Sequence, residues 1–369
     1  MKIALVHEHL VKRGGAEKVL KDFLKIWPKA DVFTIVKDKK FVKEYFKTNP
    51  KIYNSYLQKL PFAKKKYNWY LSFEPRAIES FNFKNYDLII SNSHSFAKGV
   101  NFKGKTRHIC YCHTPTRWIW LESESHVKRS NFPFFLKSVI PFLVEKLKTW
   151  DFQAAHKPNL IIANSYNVKK RIKKYYNRKS KVIWPAVDTK FFIPANKQRK
   201  DFFLYVSRLE PHKKPDLAIQ AFSGTDYKLK VAGVGSMLEG LKKEAGKNIE
   251  FLGEVSNQEL RELYQSTQAL IFPQEEDFGL VPLEAQACGT PVIAYKKGGA
   301  LETIKQGQTG IFFEKPTPES LLNAVENFVP QRFSKILIRK HAEKFSFENF
   351  QNSWQKIVKQ VMSKRKKKW

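Results

Sequence analysis

Ala269-Leu-Ile-Phe272-Pro-Gln-Glu-Glu276-Asp277-Phe278-Gly279-Leu280-Val281-Pro282-Leu283-Glu284, continuing AQACGTPVIAY, decides how this chain is read. Ala269 to Phe272 has the composition of a buried strand. Gly279 opens a helix expected to run to Cys288. Strand, loop and helix N-terminus in that order form an anion site, because unpaired backbone N–H groups and the helix dipole point out of the helix start. Glu276 sits in the loop, where a ligand reaches it. Glu284 falls about a turn and a half into the helix.

Outward from this stretch, the chain alternates short apolar runs with helical lengths. Lys2 to His7, Val32 to Val36, Asp87 to Ser91, His108 to Cys112, Asn159 to Ala163 and Val182 to Trp184 form one set of expected strands. Phe202 to Val206, Lys228 to Ala232, Ile249 to Leu252, Ala269 to Phe272, Pro291 to Ala294 and Gly310 to Phe313 form a second. Pro194 to Asp201 reads as a linker. Ser165 reads as an N-cap, Ser256-Asn-Gln-Glu259 as a capping box, and Thr317-Pro318 as an N-cap with proline in the first turn. Strands separated by helices argue for parallel sheets in two doubly wound α/β domains. The boundaries are placed at 1–190 and 191–345, with a last helix and basic tail over 346–369.

Composition narrows the class. The 369 residues hold 67 Lys+Arg against 34 Asp+Glu, a formal net charge of +33, with 42% hydrophobic residues. That charge favours polyanions: nucleic acid, anionic lipid or phosphorylated substrates. A proteome-wide lysine bias produces the same number. No run of 18 apolar residues suggests a spanning helix, and the N-terminus enters a strand pattern with no signal peptide. Cys110, Cys112 and Cys288 are odd in number and fit a reduced cytoplasmic protein.

Further candidates lie at loop positions. Arg208 and Lys213 follow the first strand of the second set in VSRLEPHKKPDLAI. A planar guanidinium fork and a compact ammonium together suit a diphosphate; Lys214 is an alternative to Lys213. Gly14 and Gly15 follow the first strand of the chain, where a glycine loop lets backbone approach a phosphate. His113 ends a strand in CYCHTPTRWIW, at the edge where open α/β sheets bind ligands.

Taken together, these motifs resemble the retaining glycosyltransferases of family 4, which have the GT-B fold: two Rossmann-like domains facing a central cleft. The resemblance rests on the Glu-x7-Glu pattern from Glu276 to Glu284, the Arg-x4-Lys element from Arg208 to Lys213, Arg13-Gly-Gly-Ala-Glu17 and His113. It implies that the backbone at Gly279 and Leu280, with Arg208 and Lys213, binds the diphosphate of a nucleotide sugar. It implies Glu284 on the ribose, backbone near Val255 on the base, and Asp277 and Phe278 within the same donor loop. Glu276 and His113 then meet the sugar, and Gly14 and Gly15 close over the donor from the first domain. CHTP-x-R, LQKLPFAKKKY, AIESF, SNSHSFAKGV and GGALETI extend the resemblance to a subgroup of surface-polysaccharide mannosyltransferases. They imply GDP-mannose as donor and a glycan or lipid-linked acceptor, with no cofactor and no metal. Glu8 and His9 depart from that subgroup, which more often has Asp and a bulky aromatic there, by the acceptor mouth.

Two basic-aromatic segments, Lys59 to Tyr70 and Phe132 to Trp150, fit either a face for an anionic membrane or core aromatics beside solvated lysines. The expected location is cytoplasmic, peripheral at the inner face of the cell membrane. A UDP-sugar enzyme of the same family, an epimerase and a phosphorylase are the enzyme alternatives. The charge alone also fits a nucleic-acid-binding protein, although no helix-turn-helix, zinc or RNA-recognition signature accompanies it and no specific nucleic acid is expected.

Overall fold

The computed structural model describes residues 1–46, 50–121 and 140–363, with backbone alone at Asn68, Ile140 and Pro141. The chain divides into two compact units, Met1–Trp184 with Gln351 onward, and Pro185–Phe350.

Among the described residues, the first unit holds seven strands: β1 (Ile3–Leu10), β2 (Asp31–Lys37), β3 (Ile52–Asn54), β4 (Leu88–Ser93), β5 (Arg107–Cys112), β6 (Leu160–Ala163) and β7 (Lys181–Val182). Their order is β3-β2-β1-β4-β5-β6-β7. Every pair is parallel. Runs such as Leu88-Ile-Ile and Leu160-Ile-Ile are fully apolar because helices cover both faces of a parallel sheet. Cys110 and Cys112 face the same cluster, with Ile161, Val168 and Ile172. All three cysteines are free and buried.

The second unit holds β8 (Phe203–Val206), β9 (Leu229–Ala232), β10 (Ile249–Gly253), β11 (Leu270–Phe272), β12 (Val292–Tyr295) and β13 (Gly310–Phe313). The order is β10-β9-β8-β11-β12-β13, again all parallel. Each sheet reverses its winding beside its first strand, between β1 and β4 and between β8 and β11. The carboxyl ends of those strands are where doubly wound sheets bind ligands.

The expected caps form. Ser165 accepts from the Val168 N–H, Thr317 accepts from the Ser320 N–H, and Ser256 and Glu259 make the reciprocal capping box. The last helix, Phe347–Ser363, buries Trp354 edge-on against Phe23 and Tyr111, with ring centroids 4.8 and 5.6 Å apart. Among the described residues, no helix is long and apolar enough to cross a membrane.

The first strand runs well past the end its sequence suggests. β1 continues past His7 through Glu8 and His9 to Leu10, and Glu8 is fully buried. The loop after β4 makes this possible. Glu8 Oε1 accepts from the backbone N–H groups of His94, Ser95 and Ala97, and from Ser93 Oγ.

Candidate active site

In the second unit the candidate residues gather at the carboxyl ends of β8 and β11. β11 ends at Phe272, and the loop through Glu276 and Phe278 leads to the helix Leu280–Ala287. Gly279 caps that helix at φ 92°, a left-handed conformation that glycine adopts without strain. A side chain there would also press on the Phe272 ring, at 3.3 Å.

Lys213, in the short turn after β8, forms an ion pair with Glu276. Both side chains are largely buried, at 17% and 22% exposure, which strengthens the pair over a surface one. Tyr205 Oη donates to the Lys213 carbonyl at 3.0 Å and holds the turn. Lys214 is exposed in the left-handed region, at φ 55°. Of the two candidate lysines, Lys213 is thus the one brought to the glutamate loop. Arg208 stands exposed just beyond β8, and its side chain hydrogen-bonds no described residue. Glu284 is partly buried in the second turn of the helix, beside Tyr264. Val255 follows β10 at the outer edge of the same sheet, just before the Ser256 cap.

The glycine pair Gly298-Gly299 completes this site, and sequence reading noted it only as part of a resemblance. The Gly299 N–H donates to the Glu276 carbonyl at 2.8 Å. A Cβ on Gly299 would lie 2.3 Å from the Phe278 carbonyl oxygen, and one on Gly298 would lie 2.5 Å from that of Glu276. The glutamate loop therefore rests directly on glycine backbone.

In the first unit, Gly14 caps the helix Gly15–Ile26 at the carboxyl end of β1. A Cβ on Gly14 would meet Glu17 Oε2 at 2.6 Å. Glu17 Oε1 in turn pairs with His7 Nε2 at 3.1 Å. Burial works against a charge on His7, but Glu17 and then Glu8 outweigh it and raise its pKa. Burial likewise opposes the Glu17 charge, and His7 reverses the sign, so its pKa is lowered.

His113, at the end of β5, contacts Asn92 Oδ1 through Nε2 at 2.6 Å. Desolvation, followed by the fields of His94 and His7, lowers its pKa to about 3, so the ring is neutral near pH 7. Asn92 and His94 gave no chemical signal in the sequence, since SNSHS after an apolar run reads as a strand end, and His7 reads only as the last residue of its strand. The trace that could have found them is three polar side chains where a strand reaches the ligand edge of its sheet. His9 pairs with buried Glu74 at 3.0 Å and stacks on Tyr67 at 4.4 Å.

The basic-aromatic segment around Lys59 to Tyr70 divides between the two readings of it. Leu57 and Ala63 are buried, Tyr70 packs on the core, and Phe62 (67%) and Trp69 (57%) are exposed. Of the second segment, residues 132–139 lie outside the described residues, as does the basic tail from 364. In its remainder Leu147 is buried and Phe142 is exposed. Among the described residues, no group of three or more His, Cys, Asp or Glu side chains is placed to hold a metal ion.

Residues 13–191 match the family model "Glycosyltransferase Family 4", and residues 186–346 match "Glycosyl transferases group 1". Two parallel Rossmann-like sheets, each with its polar cluster at the carboxyl edge, and two adjoining family matches place the chain among the glycosyltransferases of GT-B type.

Among particular relatives, an uncharacterized glycosyltransferase of Methanocaldococcus jannaschii is 29% identical over 203 residues, covering 54% of this chain and 56% of that protein. A D-inositol 3-phosphate glycosyltransferase of Rhodococcus erythropolis is 31% identical over 167 residues, covering 39% of this chain and 38% of the relative. The chain thus spans about half the length, or less, of the curated relatives it matches. The fold itself extends end to end. HepE of Anabaena, crystallised with UDP, superposes with a TM-score of 0.74 at 19% identity, covering 98% of this chain and 100% of the other. Sucrose-phosphate synthase of Thermosynechococcus elongatus gives 0.75 at 16% identity, with the same coverages.

Proposed function

We propose that the protein is a retaining glycosyltransferase, moving a hexose from a nucleoside diphosphate sugar to a hydroxyl of a glycan or lipid-linked saccharide. The observation that carries this reading is the Lys213–Glu276 pair beside the N-terminus of Leu280–Ala287, at the winding reversal of the second sheet. Arg208, Lys213 and the N–H groups at Gly279 and Leu280 neutralise the diphosphate as it leaves. Preorganised charge stabilisation of this kind often contributes more to catalysis than any other single effect. Glu284 holds the ribose, and backbone near Val255 meets the base. Asp277 and Phe278 shape the loop. His113 and Glu276 orient the sugar, and Gly14 and Gly15 lie against the donor.

The sugar–phosphate bond breaks with its electron pair passing to the diphosphate. The acceptor oxygen bonds to the same face of the anomeric carbon, and its proton passes to the leaving phosphate. No protein nucleophile and no metal enters this scheme.

The donor we favour is GDP-mannose, on the strength of Cys112-His-Thr-Pro-Thr-Arg117 and the surrounding subgroup pattern. A UDP-sugar is the second reading, supported by HepE, whose structures contain UDP and UDP-glucose. The exposed lobe of Phe62 and Trp69 among Lys64, Lys65 and Lys66 supports a peripheral position on an anionic membrane surface, facing the cytoplasm.

A thermal-shift panel with GDP, UDP, ADP, CDP and their sugars, with and without magnesium, tests the donor. A ligand at one hundred times its dissociation constant adds about 2.7 kcal/mol. A metal-independent, GDP-selective shift lost in Arg208→Ala supports the reading. A UDP-selective shift keeps the enzyme class and replaces mannose, whereas no shift with any nucleotide removes the donor site.

A further inference from the structure

Asn92 lies at the end of β4 with no exposed surface, and its side chain and backbone touch three other elements. Its amide Nδ2 donates to the Ala16 carbonyl at 2.7 Å, in the first turn of the helix behind the glycine loop. Its backbone oxygen lies 3.1 Å from His7 Nδ1 on β1. Its side-chain oxygen lies 2.6 Å from His113 Nε2 at the end of β5.

The Ala16 carbonyl can only accept a hydrogen bond, so the amide nitrogen must face it. That fixes which way the Asn92 amide points, and it turns Oδ1 to His113. Oδ1 can only accept, so the proton must sit on His113 Nε2. We infer that Asn92 is a positioning residue that locks His113 in the Nε2–H tautomer, leaving Nδ1 as a hydrogen-bond acceptor for a sugar hydroxyl, and ties that choice to the glycine-loop helix. Each hydroxyl of a hexose can donate one hydrogen bond. A neutral imidazole with a fixed acceptor nitrogen receives such a hydrogen bond. The catalytic half of the inference rests on the proposed role of His113 at the sugar. The tautomer does not.

The groups facing His113 are His7 and Glu8 from β1, Glu17 from the glycine-loop helix and His94 from the loop after β4. The test is nitrogen NMR of the full-length protein labelled at histidine, with His113 assigned by its loss in His113→Gln. At pH 7 the wild type shows His113 neutral and protonated at Nε2. An Nδ1–H or charged His113 overturns the inference with no variant needed. Asn92→Ala converts the signal to a tautomer mixture. In transfer assays it lowers kcat by about tenfold, with the KM for the nucleotide sugar moving less than about threefold.

Asn92→Asp places a carboxylate against Nε2 and raises the His113 pKa, so activity gains an acid-side loss that the wild type lacks. An unchanged tautomer and unchanged kcat in Asn92→Ala also overturn the inference. A wild type that transfers no sugar defeats the proposed function instead, and the NMR result still decides the role of Asn92.

Discussion

Glu8 shows how one side chain sets the limits of a site. A carboxylate in a buried strand costs several kcal/mol unless it is hydrogen-bonded. That is why sequence alone stops β1 at His7. The loop after β4 supplies three backbone N–H groups, and this loop is remote in sequence, so the compensation is invisible from the residues around Glu8. Burial raises the Glu8 pKa, but His94, His7 and the loop N–H groups overcome it and lower the value from 4.5 to about 2. The folded pKa is depressed, so the stabilisation is complete above the unfolded value and is lost as pH falls through the folded one. A displacement of this size corresponds to about 3 kcal/mol at pH 7 and about half that near pH 3. Glu8→Gln is therefore expected to lower stability by about 3 kcal/mol at neutral pH, and the gap to wild type should narrow between pH 5 and pH 3. Urea titrations across that range check it; a gap that does not vary with pH would mean that Glu8 is not charged in the native state.

Helix starts and apolar strand runs were the most legible elements, because caps and hydrophobic runs are local; the short strand Ile52–Asn54 and the ends of β1 and β7 were not. Ser165, Ser256 and Thr317 cap where their side chains alone indicate, and Glu276 to Glu284 lies on the loop and helix expected of it. What could not be read is contact between loops. Lys213 has the Arg-x4-Lys spacing but Lys214 beside it carries the same charge, and the ion pair to Glu276, the turn's hydrogen bond to Tyr205 and the left-handed Lys214 separate them. The seat under the glutamate loop was hidden for the same reason, since Gly298-Gly299 belongs to a different loop. Gly299→Ala drives a methyl group into the Phe278 backbone, and backbone cannot yield as a side-chain tip does. The loop must shift, taking Glu276 and the helix start with it. We expect this variant to fold and to lose most of the nucleotide-induced thermal shift. A shift equal to wild type would show that the loop moves without disturbing the anion site. Thr317→Ala, at a cap of the same unit away from the proposed donor site, is the control: it costs about 1 kcal/mol of stability and leaves the nucleotide shift intact.

At the scale of the whole chain, a net charge of +33 does not choose between nucleic acid and lipid. The arrangement of apolar side chains separates the two expectations. Between β3 and the helix Glu74–Glu79, short turns expose Tyr56, Leu60, Phe62, Trp69 and Phe73, while Leu57 and Ala63 anchor the lobe inside. Phe62 holds φ 54°, a conformation costly for a bulky residue, and its carbonyl accepts from the N–H groups of Lys65 and Lys66. Lys66 Nζ lies 4.1 Å from the Trp69 ring centroid. Aromatic tips flanked by lysines suit a lipid interface, where rings enter the headgroup boundary and each lysine near the surface adds about 1 kcal/mol of attraction. A nucleic-acid surface needs the lysines and gains little from an exposed Phe62. The two partners therefore respond differently to one change. Replacing Phe62 and Trp69 together by serine, with every lysine kept, should reduce sedimentation with phosphatidylglycerol-containing vesicles by about tenfold. The same variant should leave salt-sensitive binding to random DNA unchanged. Neutral phosphatidylcholine vesicles should retain little of either protein. If the serine variant binds anionic vesicles as wild type does, the lobe is not the membrane contact, and the attraction is a property of the overall charge.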